Sequence, residues 1–266
     1  MPALALFVWE YGELFMPSIS LTPPEHGTTL RVMTANLLMS NMDLAALGAA
    51  IEREQPDVLA VQELGTGMAR YLAERLRDRY PFQALEPDDT SAFGLGIVSR
   101  RPIRVEPPSS ASSDNCFCQR AVLDLPERTA TLVHVHPPPP AIAYGRLGRV
   151  PFPRHFSSED TRRILSMALR DLEATQGPVV ALGDFNVSDR QAIYRRLRQR
   201  LRDAHHDAGW GLGYTFPNSA FEGLPALPLV RIDYVLHNDA WLATAARTGS
   251  LPGSDHRYLV ADLIPR

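Results

Sequence analysis

The 266-residue sequence contains no lysine, so all 27 of its basic side chains are arginine, set against 30 acidic ones for a formal charge of −3. That balance gives polyanions no global attraction, and net charge lends no support to a nucleic-acid-binding class. With 23 prolines and abundant alanine, all-arginine usage is the composition of a GC-rich coding sequence, which weakens any reading of a single arginine as functional. Cysteine is nearly absent. Cys116 and Cys118 are too few for a zinc cage and too close together for an unstrained disulfide, so they read as two incidental thiols. No apolar run reaches the roughly 20 residues of a membrane-spanning helix. The N-terminal MPALALFVWEYGELFMPS is broken by Glu10 and Glu13 and has no basic region of the kind that opens a signal peptide.

The content that remains is ordinary for a globular chain: 45% hydrophobic and 21% charged residues exclude disordered, collagenous and coiled-coil classes. Leu4, Phe7, Val8, Tyr11, Leu14 and Phe15 fall at helical spacing, so residues 1–18 are expected to form an amphipathic helix. Two readings of it stand side by side: packing on its own domain, or association with a membrane surface. A Pro/Gly-punctuated linker, Ser18 to Thr28, follows, which divides the chain into residues 1–28 and a domain over 29–266.

From residue 30, short β-branched runs alternate with amphipathic segments, the pattern of α/β layering. Strands are expected at Leu30–Leu38, Val58–Leu64, Gly94–Ser99, Ala121–Leu125, Thr131–His136, Val179–Leu182, Arg231–His237 and Tyr258–Ile264. Helices are expected from an Asp43 cap to before Pro56, over Met68–Tyr80, and from Ser158 to Ala174. Between Pro137 and Ser157 the row PPPPAIAYGRLGRVPFPRHFS is too rich in proline and glycine for regular structure, and it exceeds the about 12–15 residues of an ordinary loop. Tyr144, Arg146, Arg149, Arg154 and His155 in it are candidates to line a site.

Oxygen-bearing side chains gather at the strand ends: Asn36 in TANLL, Glu63 in VQEL, Asp184 and Asn186 in GDFN, Asp233 in RIDYVL, and Asp255 beside His256 in GSDH. Each alone has a plain structural explanation as a turn former or cap. Brought together they make an all-oxygen cage, and hard donors without thiolates select Mg²⁺ or Mn²⁺ over zinc.

The words TANLL, DVLAVQEL, LVHVHPP, PVVALGDFN, RIDYVL and SDHRYLVADL, in this order from about residue 30 to 264, resemble the endonuclease/exonuclease/phosphatase superfamily, the fold of pancreatic deoxyribonuclease. The resemblance implies a four-layer α/β sandwich: two packed mixed β-sheets flanked by helices. It also implies a metal-dependent hydrolase acting on a phosphate-ester substrate. By position in these motifs, Glu63 would be the principal metal ligand, with Asn36 and Asp255 beside it. Asp184 would activate water, Asn186 would donate to the phosphate, and His256, held by Asp233, would contact it as imidazolium. His136 matches the second histidine and the acid for the leaving oxygen, with His134 on the same strand face as the alternative. Arg120 sits where some members place a phosphate-contacting arginine, and Leu38 replaces the acidic residue that apurinic endonucleases carry two positions after the asparagine.

The N-terminal segment is similar to bacterial members with transmembrane helices before the catalytic domain, which implies a bacterial, membrane-associated protein with a lipid-linked or small substrate. A nuclease acting on DNA or RNA is the alternative, supported by the arginine-rich stretch YRRLRQRLR at 194–202. A non-catalytic binding module on the same fold is a third reading, opposed by retention of all six words.

Overall fold

The computed structural model describes residues 2–16, 29–41, 43–107, 118–147, 150–218 and 228–266. Its first half comprises α1 (Pro2–Tyr11), a 3₁₀ turn (Gly12–Phe15), β1 (Leu30–Asn36), α2 (Leu44–Glu54), β2 (Val58–Gln62), α3 (Thr66–Arg75), β3 (Phe82–Glu86), β4 (Leu95–Ser99), β5 (Ile103–Glu106), β6 (Cys118–Asp124) and β7 (Thr129–Val135). The second half comprises β8 (Ala141–Leu147), β9 (Val150–Ser157), α4 (Glu159–Ala174), β10 (Val179–Asp184), α5 (Ala192–Arg198), β11 (Arg202–Asp203), α6 (Ala204–Ala208), β12 (Asp233–His237), β13 (Trp241–Ser250) and β14 (Arg257–Pro265).

Two six-stranded mixed sheets form, ordered β13-β14-β1-β2-β4-β3 and β11-β12-β10-β7-β6-β5. Each is antiparallel except for one central parallel pair, β1 with β2 and β7 with β10. Period-2 alternation decides what lies between the layers. Val32, Ala60, Leu132, Leu182, Val235 and Ala261 face the opposite sheet and share one core. The intervening Met33, Leu59 and Val98 pack against Leu47 and Ile51 of α2 and Leu72 of α3, while Val133 and Ala181 pack against Leu165 of α4 and Leu197 of α5. The four-layer α/β sandwich follows from those three cores.

Local chemistry sets the boundaries. The Asp43 carboxylate accepts from the Ala46 amide and caps α2, which ends where Gln55 turns left-handed (φ 51°) before Pro56. Helix α3 stops short of its expected end at Tyr80 because that ring is fully buried, with its hydroxyl donating to the Pro56 carbonyl at 2.8 Å. Strands β3, β5, β11 and β13, all at sheet edges, were not anticipated from the hydrophobic pattern; an edge strand buries less and carries a weaker apolar signal.

Three expectations are corrected. The loop from Pro137 contains an antiparallel pair, β8 with β9, that joins neither large sheet. Its prolines are tolerated because a two-stranded ribbon has open edges needing no donor. Cys118 is disulfide-bonded rather than free; the chain's other cysteine, Cys116, lies outside the described residues. And α1 is not amphipathic. Residues 2–9 contain no charged side chain, which leaves Glu10 as the one charged residue of the helix, and Leu4, Val8 and Trp9 are exposed at 65%, 57% and 86%. The segment is held through its last turn, where Leu14 is buried, Arg190 stacks on Tyr11 at 4.2 Å, and Phe15 meets Trp210 edge-on. Among the described residues no helix is long and apolar enough to cross a membrane. Of the expected linker, residues 18–28 lie outside the described residues.

Candidate active site

The two parallel pairs end at the same edge of the sandwich, and the chemistry-bearing residues sit there. Asn36 closes β1, Glu63 follows β2, His136 follows β7 and Asp184 closes β10, so the carboxyl ends of four strands converge. The backbone is strained where it turns out of them. Leu38, Glu63 and Asn186 adopt positive φ of 61°, 56° and 52°, a conformation that costs an L side chain energy and persists where the surroundings impose it. Gly183 (φ 143°) has no alternative: a Cβ there would lie 2.0 Å from the Val135 carbonyl oxygen, so only glycine lets β10 approach β7.

The Asp184 carboxylate is the centre of the cluster. Its Oδ1 accepts from the Asn186 amide at 2.8 Å, and its Oδ2 accepts from the Asn36 side-chain amide at 3.1 Å. The Nε2 atoms of His136 and His256 each stand 3.7 Å from that Oδ2. Asn36 also donates to Glu63 Oε1 at 3.0 Å, while Glu63 Oε2 accepts from the Met39 amide at 3.0 Å. Asn36 Oδ1 accepts from the Leu38 amide at 3.0 Å, so the side chain presents its NH₂, not its oxygen, to both carboxylates. It therefore positions Glu63 and Asp184 before it can ligate anything.

Asp233 lies directly opposite Asp184 across β12 and β10, an unfavourable pairing of like charges unless a cation stands between. His256 is that cation. Its Nδ1 is 3.0 Å from Asp233 Oδ2. Burial alone would lower its pKa, but Asp233 and then Asp184 outweigh burial and raise it to about 10. Burial drives Asp184 the other way, up to about 7, against the attraction of His256. Burial also pushes His136 down to about 4 despite the charge of Glu63, which leaves it neutral. As a neutral imidazole, His136 is placed to accept or donate a hydrogen bond.

Asp255 is half-buried, and burial together with the nearby Glu63 charge raises its pKa. Its Oδ1 is buried without a partner, as are Asp233 Oδ1 and His136 Nδ1. Four carboxylates thus face one imidazolium, and orphaned oxygens remain; the cluster is under-neutralised. Among the described residues, the ligand-type atoms of Asp184, Asp233 and His256 lie within 4.8 Å of one another. Because His256 is protonated and tied to Asp233, the trio works better as a charge clamp than as a metal cage. Glu63 and Asp255 offer the hard oxygens that suit a divalent ion.

The structure brings together Asn36, Glu63, Asp184, Asn186, Asp233, Asp255, His136 and His256. Asn186 uses one amide hydrogen on the Pro137 carbonyl at 3.0 Å. Arg120 is not brought to the site. On β6, Gln119 and Ala121 face the opposite sheet, so Arg120 points to the α4 side, with Nε 2.8 Å from Glu106 Oε2 and Nη1 donating to the Thr175 hydroxyl. Tyr144 and Arg146 fall in β8, and their side chains lie outside the described residues. His134 is fully buried beneath the site, which leaves His136 as the histidine at Asp184. Ser254 was missed: its hydroxyl donates to the Asn36 carbonyl at 2.7 Å and accepts from the His256 amide at 3.0 Å, tying β1 to the histidine loop. Phe216 packs on the His256 ring at 5.0 Å.

Residues 33–256 match the model of the Endonuclease/Exonuclease/phosphatase family. The chain belongs to that family. Family members are hydrolases acting on phosphate esters. Among solved structures, D. rerio TDP2 complexed with single-strand DNA product superposes with a TM-score of 0.65 at 17% identity, over 89% of this chain and 99% of that one. An endonuclease/exonuclease/phosphatase from Bacteroides vulgatus gives a TM-score of 0.65 at 20% identity, over 90% and 100%. Sphingomyelinase C from Streptomyces griseocarneus gives 0.58 at 18%, over 88% and 99%. At such identities the likeness is one of fold. No curated protein matches the sequence.

Proposed function

We propose that the protein is a divalent-metal-dependent phosphoric ester hydrolase whose substrate is small or lipid-linked. The observation that carries this reading is the under-neutralised cluster at the strand ends: Glu63, Asp184, Asp233 and Asp255 against one imidazolium, with buried oxygens left over. Glu63 and Asp255 would hold Mg²⁺ or Mn²⁺, with Asn36 orienting Glu63. When bound, the ion supplies Lewis-acid neutralisation of the phosphate oxygens.

The protein's own groups do the rest. His256, kept charged and in one orientation by Asp233, donates from Nε2 to the phosphate, where negative charge grows. Asp184 takes the proton of the attacking water, its carboxylate aimed by Asn36 and the Asn186 amide. Asn186 donates its remaining amide hydrogen, neutral His136 hydrogen-bonds at the edge of the site, and as the bond from phosphorus to the ester oxygen breaks the departing oxygen takes its proton from solvent.

The substrate half of the proposal is supported by charge and by the N-terminal surface. The net charge of −3 does not favour a polyanion, and Leu4, Val8 and Trp9 offer an exposed apolar face suited to a membrane surface or a lipid. The deciding experiment measures hydrolysis of sphingomyelin, inositol phosphates, a bis-aryl phosphodiester, single-stranded oligonucleotides and plasmid DNA with Mg²⁺, with Mn²⁺ and in EDTA. Metal-dependent turnover of lipid or small esters is expected. Full activity in EDTA overturns the mechanism. Efficient cleavage of DNA that falls steeply with salt replaces the substrate assignment with the nuclease.

A further inference from the structure

One layer below the site, the space between the two sheets stops being apolar. Stepping inward by two residues along each strand, Asn36 is preceded by Thr34 and His136 by His134, while Gln62 immediately precedes Glu63 and Gln119 lies opposite His134 on β6. These four side chains are 0–3% exposed, and they face one another rather than solvent. The next layer down, with Val32, Ala60, Leu132 and Ala121, is wholly apolar.

The four make one continuous hydrogen-bonded chain, reciprocal between Thr34 and Gln62 and of a single sense from Gln62 onward. The Thr34 hydroxyl donates to Gln62 Oε1 at 3.3 Å and accepts from Gln62 Nε2 at 3.1 Å. Gln62 Nε2 stands 2.5 Å from His134 Nε2; an amide nitrogen can only donate, so His134 Nε2 accepts. His134 Nδ1 must then carry the proton, and it donates to Gln119 Oε1 at 3.2 Å. Gln119 Nε2 completes the path by donating to the Ala84 carbonyl at 3.4 Å. The path crosses from one sheet to the other between Gln62 and His134 and returns between Gln119 and Ala84. Burial, with the neighbouring His136 adding, holds His134 far down, at about 3, so the neutral form that this direction requires is the one present. No side-chain nitrogen or oxygen of these four residues is buried without a partner, in contrast to His136, Asp233 and Asp255 just above.

A satisfied polar layer inside an apolar sandwich adds no affinity between sheets that a methyl layer could not supply, but it allows one register and one spacing. We propose that Thr34, Gln62, His134 and Gln119 form an inter-sheet strut that sets the distance between the metal side of the site, Asn36 and Glu63, and the acid–base side, His136 and Asp184. The two sides belong to different sheets, joined near the site by that path, by the Asn36–Asp184 hydrogen bond and by the His256–Asp233 pair. Glu63 is the residue most exposed to its loss. It sits in a left-handed conformation next to Gln62, so whatever holds Gln62 aims Glu63. These are positioning residues, and the inference rests on the reading of the site as a metal-dependent hydrolase.

The test uses the full chain and three variants. His134→Leu removes the acceptor of one Gln62 Nε2 hydrogen and the donor to Gln119 Oε1. The triple variant Gln62→Leu, Gln119→Leu, His134→Leu, made in a Thr34→Val background so that no buried hydroxyl is stranded, makes the layer apolar throughout. His134→Gln keeps an acceptor for Gln62 and a donor for Gln119. Mn²⁺ binding is followed by titration calorimetry and electron paramagnetic resonance, folding by thermal melting, and the histidine rings by long-range ¹H–¹⁵N spectra.

In the wild type, the His134 ring is expected to hold the Nδ1–H tautomer without titrating between pH 5 and 8. His134→Leu should melt lower. The triple variant should recover the melting temperature yet bind Mn²⁺ about ten- to a hundredfold more weakly, with kcat reduced and KM little changed, as for other groups that orient ligands from behind. His134→Gln should restore binding. A triple variant with wild-type Mn²⁺ affinity overturns the strut, as does a His134 ring that titrates or is protonated at Nε2. A wild type that binds no Mn²⁺ and cleaves no ester overturns the functional reading instead, and the ring spectra still decide whether the path exists.

Discussion

Strand β12 connects two buried charged clusters that behave oppositely. Just before the strand, Arg231 is 2% exposed and its Nη1 lies 2.6 Å from Asp203 Oδ2, which also accepts from the Tyr194 hydroxyl at 2.7 Å. At the first residue of the strand, Asp233 joins Asp184, Glu63 and Asp255 around a single imidazolium. The first cluster is a balanced pair in which burial is outweighed, and Asp203 is held down at about 2. The second carries more negative charge than its one cation neutralises. Two residues of chain separate a knot that holds the fold from a cluster left with surplus negative charge. Charge balance tells them apart where burial does not.

That comparison can be broken at either end. On the site side, Glu63→Ala should reduce metal-dependent hydrolysis about a thousandfold, the equivalent of about 4 kcal/mol of Lewis-acid stabilisation. The melting temperature of the metal-free protein should hold or rise, because a surplus charge has been removed. Steady-state kinetics and calorimetry check both. On the knot side, Arg231→Met should cost about 3–5 kcal/mol of stability by stranding the Asp203 charge, measured by urea denaturation. Adding Asp203→Asn to it should return much of that loss, because the amide oxygen can still cap the His205 and His206 amides without leaving a charge, whereas no second substitution in the acidic cluster should rescue Glu63→Ala.

Within the site, Asp233 and His256 are hydrogen-bonded at 3.0 Å and on the proposed mechanism should act as one unit. The rate losses of Asp233→Asn and His256→Ala should therefore be far from additive in the double variant; additive losses would show that the two work separately. The smallest effect is in pH. Asp203 has its pKa depressed, so its contribution is complete above the unfolded value of about 4 and is lost as pH falls toward 2. Asp184 has its pKa raised to about 7, so the metal-free fold loses stability as pH rises from about 4 through 7. Asp203→Asn should flatten the acid limb of stability against pH. Asp184→Asn should flatten the neutral one, and a saturating divalent ion should mask it.

The hydrophobic pattern exposed the central strands well, because β1, β2, β7 and β10 are buried on both faces and their runs are strongly apolar. It failed at the edges, β3, β5, β11 and β13, where half the strand needs no burial. The ribbon β8–β9 escaped notice because proline marks it as irregular, and its isolation from the large sheets is a tertiary fact. The site was legible as words at strand ends. The division of labour within it was not. Asn36 was expected beside a metal, and its amide turns out to be spent on two carboxylates and a backbone N–H. Arg120 looked available in sequence, and strand alternation turns it to the other face.

By itself, the sequence determined the chemical inventory: hard oxygens and histidines at the ends of strands, few thiols, no lysine, and alternation that commits each strand to an inward and an outward face. Side-chain period and residue type are local, so a linear reading captures them. Only the tertiary structure decided the charges. Whether a histidine is neutral, like His134 and His136, or an imidazolium, like His256, depends on how deeply it is buried and which carboxylates face it. Those carboxylates come from strands tens of residues apart, and neither desolvation nor Coulomb attraction is written in the local sequence.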